Sequence, residues 1–528
     1  MTHLQAENLA ALRALFPELI TEGVNGVAVN LDVLKQLVGD KTVTDAEEKY
    51  GLNWHGKSRA RQLALTPSTG TLRPCPEDSV DWDTTQNLMI EGDNLEVLKL
   101  LQKSYAGKVK LIYIDPPYNT GKNFVYPDNF QDSIKNYLEL TGQVGEGGKK
   151  LSANPETSGR FHTNWLNMMY PRLKLTRNLL RDDGVVFISL DDSELSRMTL
   201  ICDEIFGSEN YVGCITVQGN PRGRDYGGIA RMHDYLLVYE KSELAELRRL
   251  YDPNKEFPFQ DEIGGFEIRE LRNRNIAFNS ANRPNLFYPF YLDPHSKDKD
   301  GFYQIGLAHY PGWIEVLPKE SQGFQTVWRW GKDKSHRNLN AEIVGRDNQR
   351  GGFQIVEKYR SSTKMARSIW VDKDVNTEKG TLLVKELMGA KIFQFPKPVE
   401  LIRRVIEMGT DLDSLVLDLF AGSGTTGHAV MAQNSADGGN RKYIVVQLPE
   451  PLRATDADQK PSADYCTSLG KPHNIAEITK ERLRRAGKKI REENPLFAGD
   501  LGFRVFKLAS SNIQAWEPDR DNLAGTLS

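Results

Sequence analysis

The chain has 528 residues, of which 39% are hydrophobic and 26% charged, with a formal net charge of −3 and a pI of about 6.4. That length exceeds one ordinary core, so two or three domains are expected, and no apolar run approaches the roughly 20 residues needed to cross a bilayer. Four cysteines (Cys75, Cys202, Cys214 and Cys466) without paired spacing exclude a disulfide framework and a zinc site, and the dispersed histidines form no metal motif. No basic flank followed by an apolar stretch opens the sequence, which predicts a cytoplasmic protein with no membrane partner. Slight overall acidity does not exclude a nucleic-acid partner, because basic surface can be local.

Residues 1–80 read as a helical segment ending in a linker, the Pro-rich stretch 66–76. From residue 87 short apolar strands alternate with helices. A strand at 87–90 leads into an amphipathic helix bearing Leu95, Leu98 and Leu101, followed by a near-continuous apolar strand at 109–114 of the kind buried in parallel sheets. A helix is expected over 165–180, stopped by Arg181-Asp182-Asp183-Gly184, with strands at 185–190, 211–217 and 235–239. Between 241 and 390 the rhythm breaks into charged, Gly- and Asn-rich stretches with aromatic clusters, which read as an inserted module. The pattern resumes at 395–401. It gives strands at 415–420 and 443–448, a basic helix with Ile475, Ile478, Leu483, Ala486 and Ile490 on one side, and a strand near 503–508. The expectation is an α/β protein with a Rossmann-like, doubly wound, mostly parallel sheet. Residues 81–240 and 391–510 form its two halves, 241–390 the insertion and 511–528 a tail.

Two motifs stand at strand ends, where open α/β sheets bind ligands. In Asp115-Pro116-Pro117-Tyr118 the prolines lack N–H groups and fix φ, so backbone carbonyls are held as acceptors beside the Asp115 carboxylate, with Tyr118 offering a flat face. That set matches an exocyclic amine: two N–H donors on a planar base, with a delocalised lone pair. Acceptors that grip its hydrogens favour a tetrahedral nitrogen and stabilise the positive charge that develops when it is methylated. Tyr118 would stack on a base flipped from a duplex. The second motif, Asp418-Leu419-Phe420-Ala421-Gly422-Ser423-Gly424-Thr425-Thr426-Gly427, is a glycine turn opening a helix, suited to close approach of a ligand. Alone it equally fits a dinucleotide fingerprint, and with it a dinucleotide-dependent oxidoreductase. Gly51-Leu52-Asn53-Trp54-His55-Gly56-Lys57-Ser58 satisfies the P-loop pattern formally, but a polar, helix-like stretch precedes it where a P-loop needs a buried strand.

Together the two accepted motifs resemble the amino-methyltransferases of DNA. Catalytic motif first and glycine loop last is the order of their β class, a circular permutation of one fold. The closest resemblance is to the modification (Mod) subunits of type III restriction-modification systems, carried by 87–98, 113–122, 165–172, 182–192, 233–239 and 395–401. The resemblance implies transfer of a methyl group from S-adenosyl-L-methionine to a base in duplex DNA. Asp115, Pro116, Pro117 and Tyr118 would grip the base. Asp418, Phe420, Ala421, Gly422, Gly424 and Thr425 would bind the cofactor at its methionine end, Asp93 would lie near its adenine, and Lys397 would flank the same pocket. For Asp93 an N-cap of the following helix is the competing reading. Either Gln447 or Glu450 would hold the ribose. An initial Asp in the catalytic motif favours adenine N6, with cytosine N4 the alternative. A DNA-binding specificity subunit without activity of its own is the non-enzymatic alternative. A homodimer and a restriction (helicase-nuclease) subunit are the implied partners, although family chains usually run longer than this one.

In such enzymes the variable insertion reads the DNA sequence. The candidates for DNA contact are Arg222, Arg224 and Arg231 just ahead of it, and Arg329, Lys332, Arg360 and Lys364 within it, where aromatic and basic residues interleave.

Overall fold

The computed structural model describes residues 12–13, 15–23, 26–30, 33–34, 37, 51–120, 124–125, 152–153, 161–223, 228–252, 254–348 and 351–511. The chain divides into two compact units, one of Met1–Arg249 with Ala366–Ser528 and one of Leu250–Met365.

The first unit is built on a ten-stranded sheet. Its strands in chain order are β1 (Gly70–Pro74), β2 (Leu88–Glu91), β3 (Val109–Ile114), β4 (Leu180–Leu190), β5 (Tyr211–Val217), β6 (Asp234–Glu240), β7 (Ile369–Trp370), β8 (Leu415–Asp418), β9 (Lys442–Gln447) and β10 (Arg504–Ser510). Across the sheet they run β7-β5-β6-β4-β3-β8-β9-β2-β10-β1. Only β6 and β1 oppose the others, so the sheet is mixed with a long parallel centre. The centre is parallel because every residue of β3 is buried, as a strand covered on both faces requires.

Among the described residues, nine helices of this unit follow in chain order: α1 (Lys57–Leu65), α2 (Asn94–Tyr105), α3 (Phe161–Leu179), α4 (Leu195–Phe206), α5 (Thr377–Met388), α6 (Val399–Gly409), α7 (Thr425–Asp437), α8 (Lys460–Ser468) and α9 (Ile475–Glu493). They pack in two groups, α1 to α4 with one another and α5 to α9 with one another, as a doubly wound sheet demands. On the first group's face Leu98, Leu101, Trp165, Met169 and Leu173 meet Ile112, Ile114, Val186 and Ile188 in one core.

Two expectations are corrected. The Pro-rich stretch 66–76 is not a linker: Gly70–Pro74 pairs antiparallel with β10, at a sheet edge where proline costs no ladder bond. The segment Arg181-Asp182-Asp183-Gly184 does not separate helix from strand, because β4 already starts at Leu180 and Lys110 Nζ binds Asp183 across the ladder. In the P-loop look-alike, Lys57 is buried and paired with Glu204 at 2.9 Å, so its ammonium is committed to the fold.

A buried ionic cluster ties α9 to the sheet. Lys480, fully buried, reaches Glu477 Oε1 at 2.6 Å, Glu91 Oε2 at 3.1 Å and Asp78 Oδ2 at 3.5 Å. Asp78 also receives Lys471 and Lys507. Burial alone would raise the Asp78 carboxyl, but these lysines hold it well below the usual carboxylate range.

The second unit, narrower than the inserted module expected at 241–390, is all-β apart from short helical turns. Five antiparallel strands run in the order Phe259–Gln260, Gly265–Glu270, Phe353–Tyr359, Ile343–Asp347, Phe302–Tyr303. Trp328, Phe290, Leu292 and Ile355 form one core, and Phe266, Phe302, Val344 and Val356 a second. Among the described residues no helix of the chain is long and apolar enough to cross a membrane.

Candidate active site

The parallel strands place Asp115, Asp418 and Gln447 at one edge of the sheet, because β3, β8 and β9 are adjacent and end together. Asp115 is the first residue past β3, a quarter exposed, with Pro116 buried behind it. The Pro117 carbonyl accepts the Trp165 indole N–H at 2.7 Å. Of the two proline carbonyls expected as acceptors, this one is therefore occupied by the fold. The turn is pinned by Asn119, a left-handed residue at φ 58° whose buried amide donates to Glu194 Oε1 at 2.6 Å; His162 Nδ1 contacts the same oxygen at 2.6 Å.

Lys397 lies beside Asp115 and Tyr118. Its ammonium donates to the Tyr118 hydroxyl, sits 4.8 Å from the Tyr118 ring centre, and stands 3.4 Å from Asp115 Oδ1 and 3.4 Å from Asp234 Oδ2. Burial pushes the Asp115 carboxyl up, with Lys397 opposing. Burial would lower the Lys397 ammonium, yet Asp115 and Asp234 outweigh it and hold it above its usual range. The lysine is aimed by its backbone: Phe395 is left-handed at φ 50°, and Gly380 lets α5 approach so closely that a Cβ there would meet the Pro396 carbonyl at 2.1 Å.

The glycine loop is braced from all sides. Asp418, pushed up to about 7 by burial, accepts the Phe420 N–H at 2.9 Å and the Thr426 hydroxyl at 2.5 Å. Gly422 and Gly424 are left-handed at φ 52° and 85°, which permits the turn, whereas at Gly427 a Cβ would meet Leu483 at 2.6 Å and push α9 away. Gln447 Oε1 accepts the Gly422 N–H at 2.7 Å while its Nε2 donates to the Leu448 carbonyl, so both ends of that amide hold the fold. Thr479 donates to the Gly422 carbonyl, and Arg482, fully buried, donates to the Ser423 and Thr425 hydroxyls. Arg482 Nε and Nη2 have no hydrogen-bond partner, and burial pushes this guanidinium down to about 9.

Asp93 caps α2, accepting the Leu95 and Glu96 N–H groups, and faces Arg172 at 3.5 Å. Glu450 has the opposite character. It follows β9, half-buried, and burial pushes its carboxyl up to about 7 against Arg453. A carboxylate held in that state fits a ligand bringing hydroxyl donors, as the cofactor's ribose does. A Cβ at Gly422 would come into ordinary contact with Phe393, at 3.5 Å.

The expected DNA contacts differ among themselves. Arg222 and Lys332 are exposed, and Arg231 is mostly so, with Asp192 at 3.9 Å. Lys364 is half exposed beside Asp252 at 3.4 Å. Arg360 is clamped between Asp261 at 2.7 Å and Glu342 at 3.1 Å, and Arg329 pairs with Glu357 at 2.7 Å, so both brace the second unit. Arg224 lies outside the described residues. Trp328 is core, its N–H on the Tyr288 carbonyl. The sequence reading missed Asp234, Arg482 and Glu194. Asp234 fell within the recognised stretch 233–239, and Arg482 was hidden because its helix was read only for its apolar side.

A parallel-centred α/β sheet with an acceptor motif and a glycine loop at neighbouring strand ends defines a methyltransferase of exocyclic amines. A family model for DNA methylases of the N6 and N4 type matches residues 109–447. The chain is 36% identical over 521 residues to the type III restriction-modification enzyme EcoPI Mod subunit of Escherichia phage P1, covering 95% of this chain and 77% of that one. It is 33% identical over 529 residues to the EcoP15I Mod subunit of Escherichia coli, with the same 95% and 77% coverage. The type II methyltransferase M.KpnI of Klebsiella pneumoniae is 33% identical over 377 residues, covering 71% of this chain and 83% of that one. The chain belongs to the N6/N4 DNA methylases, in the family of type III restriction-modification Mod subunits. It is a DNA methyltransferase.

Proposed function

We propose that the chain methylates adenine at N6 within a specific duplex sequence, as the modification component of a cytoplasmic restriction-modification system. The observation that carries this is the Asp115 carboxylate at the end of β3, beside Pro116 and Tyr118 and next to the glycine loop. The cofactor, when bound, supplies a methyl group activated by a sulfonium. Asp115 Oδ and the Pro116 carbonyl accept the two N–H groups of the amine, turning its lone pair out of the ring. Tyr118 stacks on the flipped base, and Trp165, by holding the Pro117 carbonyl, keeps the turn rigid.

For the cofactor, Gly422, Gly424 and Phe420 shape the methionine end, and Glu450 accepts the ribose hydroxyls. Asp418, Gln447 and Thr425 act through the loop they brace. Glu450→Gln is expected to weaken cofactor binding roughly ten- to a hundredfold, the scale of a charge-assisted hydrogen bond. Because the carboxyl sits near 7, wild-type affinity should fall as pH drops through that value and the group protonates. The variant should show no such step. Calorimetry at pH 6 and pH 8 checks both.

The unit Leu250–Met365 is the target-recognition domain, supported by its separate cores and its place in the chain between the two segments of the catalytic unit. Lys332 and Lys364 inside it, with Arg222 and Arg231 in the catalytic unit, are the exposed cations proposed for phosphate contact. The relatives' type suggests a second copy of this chain and a restriction subunit as partners. Mapping methylated positions in genomic DNA after incubation tests this reading. Adenines at one sequence are expected, and exchanging residues 250–365 for those of a relative should move methylation to another sequence. Methylated cytosines, or an unchanged sequence after the exchange, would overturn the corresponding part.

A further inference from the structure

The target amine reaches the site neutral and becomes cationic as the methyl group joins it, so its acceptors must meet it free of other positive charge. In the structure a cation already stands beside one of them, Asp115. Lys397 Nζ donates to the Tyr118 hydroxyl, 4.8 Å from that ring's centre, and lies 3.4 Å from Asp115 Oδ1. A tetrahedral, positively charged nitrogen carrying N–H donors is what the target amine becomes during transfer, and the lysine presents those features to the same carboxylate, Asp115. On its other side Asp234 Oδ2 is equally distant, 3.4 Å. Asp234 stands at the start of β6, on the wall of a cleft lined also by Ser189, Val217, Gly219, Thr377 and Lys397.

We infer that Lys397 is a placeholder for the target amine, and that Asp234 is the positioning residue that receives its ammonium when the base docks. The inference rests on the acceptor role proposed for Asp115. Without a base, Lys397 gives the Asp115 carboxylate a cationic partner at 3.4 Å. When the amine arrives, the four-carbon stem swings the ammonium into the cleft, onto a carboxylate already within reach. Neither step exposes an unpaired charge.

The test is a double-mutant cycle on the first turnover of methyl transfer, with full-length enzyme, labelled S-adenosylmethionine and unmethylated genomic DNA. Asp234→Asn should slow transfer roughly ten- to a hundredfold, because the lysine then has no second home and stays on Asp115. Cofactor affinity should be unchanged. Adding Lys397→Met to that variant should speed it up, since the obstruction is gone; a pair serving only the fold predicts further loss. A double variant no faster than Asp234→Asn, or an Asp234→Asn enzyme as fast as wild type, overturns the inference. Asp234→Ser, smaller and equally uncharged, serves if the Asn variant does not fold. A wild-type enzyme whose rate is indifferent to Asp115→Ala would instead remove the acceptor role itself, and the inference with it.

Discussion

Asp115→Ala is expected to slow methyl transfer roughly a hundred- to a thousandfold, the loss that follows removal of one preorganised group aimed at developing charge. In the proposed mechanism its carboxylate meets the developing positive charge, and it is a quarter exposed and backed by buried Pro116, so little solvent can substitute for it. Cofactor binding should survive within about twofold, because the loop is braced independently by Asp418, Gln447, Thr479 and Arg482. Asp115→Asn keeps an acceptor oxygen but loses the charge, and should fall between wild type and Ala. Rates and calorimetric affinities measured on the three proteins check this. A parallel loss of rate and cofactor affinity would mean that Asp115 serves the cofactor pocket instead.

The largest stability effect is expected at Lys480. Removing it as Lys480→Met leaves Glu477, Glu91 and Asp78 facing one another in the core, and taking one partner from a buried ionic cluster typically costs about 3–5 kcal/mol. Lys471 and Lys507 still reach Asp78, which softens the loss there but not at Glu477, whose Oε2 already lacks a hydrogen-bond partner. The sign with pH follows from Asp78. Its folded carboxyl is held below its unfolded value, so the stability it contributes is present above the unfolded carboxylate range and is lost as pH falls through the folded one. In the variant the carboxylates lose that support, so the deficit should be largest near neutrality and shrink toward pH 4. Urea unfolding at several pH values reads this. A deficit under about 1 kcal/mol at pH 7 would place the cluster in effective contact with solvent.

Much of this fold could be read from the sequence because buried parallel strands write themselves as apolar runs. The strand at 109–114 and the one at 211–217 were placed to the residue. The edge strand Gly70–Pro74 was missed for the complementary reason: an edge tolerates proline and exposure, so its composition is that of a loop. The two candidate site motifs could be picked out because each is contiguous in the chain, and the structure puts both at neighbouring strand ends. What spacing could not supply was the long-range geometry. Lys397 is 279 residues from Tyr118 and touches it, and Asp234 meets Lys397 from β6, which runs antiparallel beside β4. Likewise Arg329 and Arg360 have the composition of DNA contacts, and only the fold reveals the carboxylates that hold them.

The most direct measurement is the nucleoside that carries label after the purified chain is incubated with labelled S-adenosylmethionine and unmethylated DNA, with Asp115→Ala run alongside. The account predicts labelled N6-methyladenine from the wild type and essentially none from the variant. Labelled N4-methylcytosine would contradict the choice of base, and equal labelling by the two proteins would contradict the site.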